Sequence, residues 1–291
     1  MSGFRTAVIG AGRMGQGISL ALAAAGWDVM LLARTARPVP PPLRLLAGAI
    51  TGDAVGERLL VLVATPDDAI PKAAAALAAS GGVGRDHVVL HLSGLLDRTA
   101  LGVLAGTGAA LGSFHPLQSV AEPGAAPSRL RGAFAGIEGD ARALAAGQRI
   151  AAALGMTAVP IDAAAKPAYH AGAVFAANYT TALVGVAARI AEEAGVAPET
   201  AARMYLPLVT GAAANLVELG PAQALTGPIR RGDAGTIRAH LAALPADLRP
   251  LYRLLGRAAL LLAREGGLPD ASARAVMDVL EGDDPTEPAG R

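Results

Sequence analysis

The 291-residue chain contains no cysteine. Disulfides, thiolate nucleophiles and cysteine-ligated metals are therefore excluded. Lysine is nearly missing as well: only Lys72 and Lys166 occur, and every other basic residue is arginine. Aromatic residues make up 3% of the chain, so no basic stripe alternates with aromatic rings, and a nucleic-acid partner is not expected. Net charge is close to absent, +1 from 25 basic and 24 acidic side chains. The five histidines form no H-E-x-x-H pair, and no metal site is expected. A secretory signal is not expected either, because the first apolar run is short and Arg13 interrupts it. A long uncharged stretch that reads as one helix runs from Pro167 to Ala188. Its length would span a bilayer. Yet His170, Asn178, Thr180 and Thr181 interrupt it, and much of the rest is alanine and glycine. We expect a buried central helix in a soluble, cytoplasmic protein with no membrane partner.

What the chain does have is concentrated at its start. Residues 6 to 17 read T-A-V-I-G-A-G-R-M-G-Q-G. A short apolar run leads into Gly10, Gly12 and Gly15, and a helical pattern begins at once after them. This strand–turn–helix context is what gives G-x-G-x-x-G its meaning. Gly10 permits the tight turn, Gly12 lets a pyrophosphate approach the backbone, and Gly15 lets the helix pack closely on the strand. The helix start, with Arg13 and Met14, then presents free N–H groups and a positive dipole end to the anion. The pattern predicts a dinucleotide site; the alternative is a tight turn without a ligand.

The second strand, Trp27 to Ala33, is followed by Arg34-Thr35-Ala36-Arg37. NAD-binding units usually place an acidic residue here to hold the ribose hydroxyls. An acid would repel a 2′-phosphate, whereas Arg34 can pair with it and Thr35 can add a hydroxyl donor. NADP, as NADPH, is thus expected in preference to NAD.

Strand-like runs recur at 6–9, 29–33, 59–64, 87–92, 109–114, 133–138 and 157–161, with helical stretches between several of them. That alternation predicts an α/β domain with a doubly wound parallel sheet. After Ile161 the strand signals stop, and helical segments follow at about 167–194, 198–219, 233–243, 247–265 and 270–281. We therefore expect a dinucleotide-binding domain over 1–162, a helical substrate or dimerisation domain over 163–282, and a disordered tail over 283–291. Such an arrangement places the ligand cleft between domains, at the carboxyl ends of the strands.

Candidate site residues follow from that placement. Thr65 and Pro66, in TPDD after the third of these strands, would lie near the nicotinamide ribose; Thr65 or Asp67 would also serve as a helix cap. His91 and Ser93 end the strand VVLHLSG, with His91 expected in the core. His115 ends the next strand in LGSFHPLQS, where Pro116 forces it into extended backbone. Lys166 and His170 are four residues apart and so share one helix face. A carbonyl or imine that receives hydride needs a proton donor or an electrostatic stabiliser at the developing charge, and Lys166 suits that role. Asn178, about 12 Å further along the axis, would reach only a longer ligand. Thr226 and Asp233 can cap helices, while Arg230 and Arg231 could clamp a carboxylate or phosphate.

Taken together, the glycine turn, TPDDAI, LGSFHPLQS, YHAGAVFAANY and ALTGPIRRGDAGTIRAHL resemble a bacterial family of Rossmann-like proteins whose helical second domain is catalogued only as a domain of unknown function. The resemblance spans nearly the whole chain. It places the protein in the 6-phosphogluconate dehydrogenase, ketopantoate reductase and pyrroline-5-carboxylate reductase group. It implies a Rossmann domain followed by an all-helical 6-phosphogluconate-dehydrogenase-like domain. Ketopantoate reductases carry a lysine on this helix and asparagines four and eight residues on. Lys166 matches the lysine, but His170 and Val174 stand where the asparagines would be, so those substrate contacts do not carry over. The stretch 226–236 resembles the segment that closes over cofactor and substrate in those enzymes. LGSFHP resembles the G-x-H-P motif of prephenate dehydrogenases, where the histidine polarises the substrate hydroxyl and a serine lies some twenty residues upstream; His115 and Ser93 match loosely.

The resulting expectation is an NADP-dependent oxidoreductase that reduces a small polar carbonyl compound, first a ketopantoate-like 2-oxo acid. Lys166, His170 and His115 would be catalytic. Gly10, Gly12, Arg13, Met14, Gly15, Arg34, Thr35, Thr65, Pro66 and Ser93 would hold the cofactor, and Asn178, Thr226, Arg230 and Arg231 the substrate. The alternatives are a cyclic-imine reductase, a prephenate-dehydrogenase-like enzyme, and a non-catalytic NADP-binding sensor. The small-residue face of the long helix suggests a homodimer through the helical domain.

Overall fold

The computed structural model describes residues 5–282, so the expected tail at 283–291 lies outside the described residues. The chain packs as two units, 1–178 and 179–291. Strands end at Pro160, near the point where the sequence pattern changes. The packing boundary comes later, inside the helical run that follows.

The first unit holds an eight-stranded sheet. Its strands are β1 (Arg5–Ile9), β2 (Asp28–Ala33), β3 (Arg44–Ala47), β4 (Leu60–Val63), β5 (Val88–His91), β6 (Ala110–Pro116), β7 (Phe134–Gly139) and β8 (Thr157–Pro160). Its helices are α1 (Arg13–Ala24), α2 (Gly52–Val55), α3 (Ile70–Ser80), α4 (Ala126–Leu130), α5 (Ala141–Leu154) and α6 (Lys166–Ala173). The order across the sheet is β3-β2-β1-β4-β5-β6-β7-β8. Chain order reverses between β1 and β4, and the crevice at such a reversal is where α/β sheets bind ligands.

Burial explains why the central strands are continuous apolar runs. Val8, Leu62 and Leu90 face one core with Ile18, Leu22, Phe114 and Ile150. Their neighbours Ala7, Ile9, Val61, Val63 and Val89 face a second core with Ile70, Leu77, Leu101 and Leu104. The period of two thus serves both faces of a fully covered sheet.

Two features differ from the expected parallel sheet. Strand β3, a short exposed edge strand paired with β2, is not among the strands read from the sequence. Its four residues follow a proline run and bury little, so neither periodicity nor composition marks it. Strand β7 runs antiparallel to β6, and β8 runs parallel to β7. A parallel return needs a crossover along the sheet. The segment between β6 and β7 contains only a 3₁₀ turn and the five-residue α4, and its first residue already pairs with the returning strand, Leu117 N–H donating to the Phe134 carbonyl at 2.9 Å. The 14-residue α5 does provide a crossover, so β8 is parallel to β7.

The second unit is helical: α7 (Thr180–Glu193), α8 (Pro198–Met204), α9 (Leu206–Leu219), α10 (Pro221–Ala224), α11 (Gly227–Arg231), α12 (Ala234–Ala243), α13 (Arg249–Glu265) and α14 (Asp270–Glu281). Ile237, Leu241, Leu260, Ala263, Val276 and Leu280 form its core. Asp233 caps α12 by accepting from Thr236 N–H at 3.0 Å, whereas Thr226 sits at the start of α11 without making a side-chain cap.

The long uncharged stretch is helical but is not the buried helix expected. Residues 163–193 form one helical run with a π turn at Val174–Tyr179. Only Lys166 is buried in α6 and only Ala191 in α7. Phe175, Tyr179 and Leu183 are exposed. Much of the stretch is alanine and glycine, whose small side chains give it little apolar surface to bury.

Candidate active site

The glycine turn lies at the chain reversal between β1 and β4, and each glycine has a separate reason to be there. Gly10 has φ +112°, and a Cβ on it would stand 2.7 Å from the Ala64 carbonyl oxygen at the end of β4. Gly15 opens α1 against the strand: its Cβ would lie 1.9 Å from the Gly10 carbonyl oxygen. Gly12 differs from both. Its φ of −72° and ψ of −178° suit any residue, and a Cβ there would meet nothing within 4 Å. Helix α1 starts here with no side-chain cap and no acidic residue in its first turn, so its first N–H groups remain available to an anion. Arg13 is exposed, and Met14 is half-buried against the core.

The end of β2 borders the same turn. Arg34 and Thr35 are exposed. Arg37 reaches back and donates from Nη1 to the Ala11 carbonyl at 3.3 Å. A guanidinium therefore flanks the turn, which sequence reasoning attributed to Arg34 alone.

From this turn a line of polar groups continues along the ends of β4, β5 and β6. Neither Thr65 nor Asp67 caps a helix; Pro66 holds that position before a 3₁₀ turn. Thr65 Oγ1 is buried without a partner among the described residues. Asp67 instead accepts from Ser93 Oγ at 2.8 Å, and that oxygen in turn accepts from the Leu95 and Leu96 amides. His91 is wholly buried. It accepts from Ser93 N–H at Nδ1 and so donates from Nε2 to the Asp97 carbonyl at 2.9 Å. Burial pushes its pKa down to about 4, so the ring is neutral. His87 and His91 have i,i+4 spacing, but a strand separates them by roughly 13 Å, and they do not form a ligand pair.

Lys166 is brought to this line from α6 and is 1% exposed. Its Nζ donates to the Ser93 carbonyl at 3.2 Å and to Ser113 Oγ at 2.8 Å. Ser113 Oγ lies 3.4 Å from Glu138 Oε2, which also accepts the Arg98 amide. Burial lowers the Lys166 pKa, and the Glu138, Asp97 and Asp67 carboxylates oppose it. Burial likewise raises Glu138, against the Arg98 amide and Lys166. Two ionisable groups thus lie beside β5, β6 and β7, tied through one serine on β6.

His115, His170 and Tyr169 form the next group. His115 Nδ1 lies 2.9 Å from the Tyr169 hydroxyl. The His115 ring meets His170 edge-on, centroids 5.6 Å apart. Burial foremost, then the charges on His170 and Lys166, bring the His115 pKa down to about 4. His170 Nδ1 is buried with no partner among the described residues.

Ser93, His115, Lys166 and His170 therefore come together within the first unit. Asn178 is exposed at the end of the first unit. Thr226, Arg230 and Arg231 belong to the second unit, where Arg230 Nη2 donates to the Gly266 carbonyl at 2.8 Å and Arg231 is exposed. Tyr169 and Glu138 escaped sequence reasoning. Tyr169 is visible only as the neighbour of His170, and Glu138 only as an acid ending an otherwise apolar strand.

The geometry can be set beside known proteins. Residues 133–259 match the family model described as a domain of unknown function, DUF2520. No curated protein matches the chain. Among solved structures, a Bacteroides fragilis protein provisionally assigned as an NADP oxidoreductase is 23% identical, with a TM-score of 0.69 over 89% of this chain and 98% of that one. Pyrroline carboxylate reductase from Plasmodium falciparum, solved with NADP bound, is 11% identical with a TM-score of 0.63 over 95% of this chain and 99% of that one. An imine reductase from Myxococcus stipitatus in complex with NADP⁺ is 19% identical with a TM-score of 0.57 over 94% and 98%. Residues 133–259 thus resemble the DUF2520 model, and the chain shares with these solved structures a fold in which a sheet unit is followed by a helical unit.

Proposed function

We propose that the protein is an NADP-dependent reductase of a small molecule bearing a C=O or C=N bond. Gly12 carries this reading. Its backbone conformation and the empty space around it would accept any side chain, so the protein's own packing gives no reason for glycine there. A pyrophosphate laid on the start of α1 does give one. Gly10, Gly15, Arg13 and Met14 shape that start. Arg34, with Thr35 and Arg37 beside it, suits the 2′-phosphate that separates NADP from NAD. Thr65, with its orphaned buried hydroxyl, Pro66 and Ser93 border the path onward, and NADP-bound neighbours of the same fold support it.

NADPH, when bound, supplies the hydride. The chain's own residues orient the acceptor and meet the charge that develops on it. His115 and His170 are the groups left to face a substrate. Lys166 has its ammonium on Ser93 and Ser113, so it acts by holding the ends of β5 and β6 and by setting the local potential. The ketopantoate-like reading would need that ammonium at the substrate oxygen. The pyrroline carboxylate and imine reductases among the neighbours favour a cyclic imine as the second substrate class to test. Asn178, Thr226, Arg230 and Arg231 are left for the remainder of the substrate.

We also propose a soluble, cytoplasmic homodimer. Helix α9 has no buried residue, and Leu208, Leu216, Val217 and Leu219 on it are exposed. Apolar exposure on this scale marks an interaction surface, and a second copy is the occupant proposed for it, with no role for a membrane or a nucleic acid.

The test is NADPH oxidation against a panel of 2-oxo acids and cyclic imines, with NADPH and NADH dissociation constants measured by fluorescence. Failure to bind NADPH would overturn the proposal. Binding without turnover of any panel member would instead identify a non-catalytic NADP-binding protein.

A further inference from the structure

Two glycines beside the site are not explained by backbone conformation. Neither Gly94 nor Gly136 has a positive φ. Both are explained by rings. Register places Gly136 on β7 directly opposite His115 on β6, and a Cβ on Gly136 would lie 2.4 Å from the Tyr169 hydroxyl oxygen. In the turn after β5, a Cβ on Gly94 would lie 2.5 Å from His170 Nδ1 and 2.7 Å from His115 Cε1. Each glycine clears a seat, one for the Tyr169 hydroxyl and one for the edges of the two imidazoles.

The Tyr169 hydroxyl is 2.9 Å from His115 Nδ1, with the rings edge-to-face at 86°. The direction of this hydrogen bond follows from its surroundings. Burial keeps the His115 ring neutral, and a neutral imidazole carries a single N–H. Burial also keeps the Tyr169 phenol protonated, and the one acceptor within hydrogen-bond reach of its proton among the described residues is His115 Nδ1. With no other acceptor in reach, the phenol proton goes to His115 Nδ1. The ring proton of His115 is left on Nε2. That atom has no partner among the described residues and is not one of their buried orphaned atoms, so it is open to a ligand.

We propose that Tyr169 is a positioning residue that fixes His115 in the tautomer carrying an open Nε2–H, and that this N–H holds the reacting heteroatom of the substrate. The inference rests on the reductase reading above. It also narrows the substrate class. A neutral N–H donor needs an acceptor lone pair, which a carbonyl oxygen or a neutral imine nitrogen has and an N-alkylated iminium lacks. The site therefore selects the neutral C=O or C=N compound. A fixed donor aimed at an atom where negative charge develops costs no reorganisation during reaction.

The test is two-bond ¹⁵N–¹H correlation NMR on the ¹⁵N-labelled full chain at neutral pH, with His115→Gln to assign the His115 signals. The expected result is a protonated Nε2 in the unsubstituted protein and a mixture of tautomers in Tyr169→Phe, which keeps the ring and its packing. Gly136→Ala should push the hydroxyl out of its seat and give the same mixture with tyrosine still present. Kinetically, Tyr169→Phe should lower kcat about tenfold or more while the NADPH dissociation constant stays within about twofold. A protonated Nδ1 in the unsubstituted protein, or an unchanged tautomer in Tyr169→Phe, would overturn the inference. An unsubstituted protein that shows the expected tautomer yet binds no NADPH would overturn the reductase reading, and with it the role given to His115.

Discussion

Gly12→Val and Gly15→Ala should fail in opposite ways, although both change a glycine of one turn. At Gly15 the new methyl group would stand 1.9 Å from the Gly10 carbonyl oxygen and 3.2 Å from Ala64 Cβ. A contact that short cannot persist, so α1 must move off β1. Helix α1 buries Gly15, Gly17, Ile18, Leu20 and Leu22, and overpacking of this kind costs about 1–3 kcal/mol or more. With a urea slope of about 1–3 kcal/mol per molar, the midpoint should fall by roughly 1 M. At Gly12 nothing lies within 4 Å of an added Cβ, and the backbone is extended. Stability should stay within about 0.5 kcal/mol. The branched side chain would instead stand where the pyrophosphate lies. Losing one charge-assisted hydrogen bond there removes about 1.5–3 kcal/mol, which weakens NADPH binding by roughly 10- to 100-fold. Urea unfolding followed by circular dichroism and a fluorescence titration of NADPH read the two effects separately. Wild-type affinity in a folded Gly12→Val protein would refute the pyrophosphate site. A wild-type midpoint in Gly15→Ala would refute the account of helix packing.

Arg34→Asp should abolish or reverse a preference for NADPH over NADH of at least about tenfold, measured as the ratio of the two dissociation constants; equal constants in the unsubstituted protein would refute the 2′-phosphate contact. Lys166→Met should lower stability by about 1–3 kcal/mol, because the buried Ser93 carbonyl and Ser113 hydroxyl lose their donor, and it should lower kcat with little change in the NADPH dissociation constant. Calorimetry together with kinetics on a working substrate checks both, and an unchanged melting temperature would refute the anchoring role. Acid should destabilise the fold well above the carboxylate range. His91 and His115 titrate at about 4 when folded, against an ordinary value of 6.5. Between these values the unfolded chain binds more protons, so stability is present above pH 6.5 and is lost as pH falls toward 4. The loss is on the order of 3 kcal/mol per ring at most. Urea midpoints measured from pH 7 down to pH 4.5 would refute this if they stayed level.

Much of the first unit could be read locally. The glycine turn needs only a strand, a tight bend and a helix start in sequence, and all three are contiguous between Thr6 and Gln16. The buried strands were equally legible, since a strand covered on both faces must be apolar throughout. Edge strand β3 was not legible, because a half-exposed RLLA carries no burial signal. The direction of β7 was not legible either, because strand identity is local whereas pairing direction depends on how the connecting segment returns.

Sequence alone determined the order of elements, the dinucleotide-type turn and the presence of Lys166 and His170 on one helix, since each is a matter of spacing within a single element. Tertiary structure alone decided what those side chains meet. It turned Lys166 inward onto Ser113 and Ser93, 53 and 73 residues away. It set Tyr169 against His115 over a space that Gly136 leaves open. Neither contact has a sequence signature, because each depends on the register of strands that pair across long loops and on the close packing that makes one missing Cβ decisive.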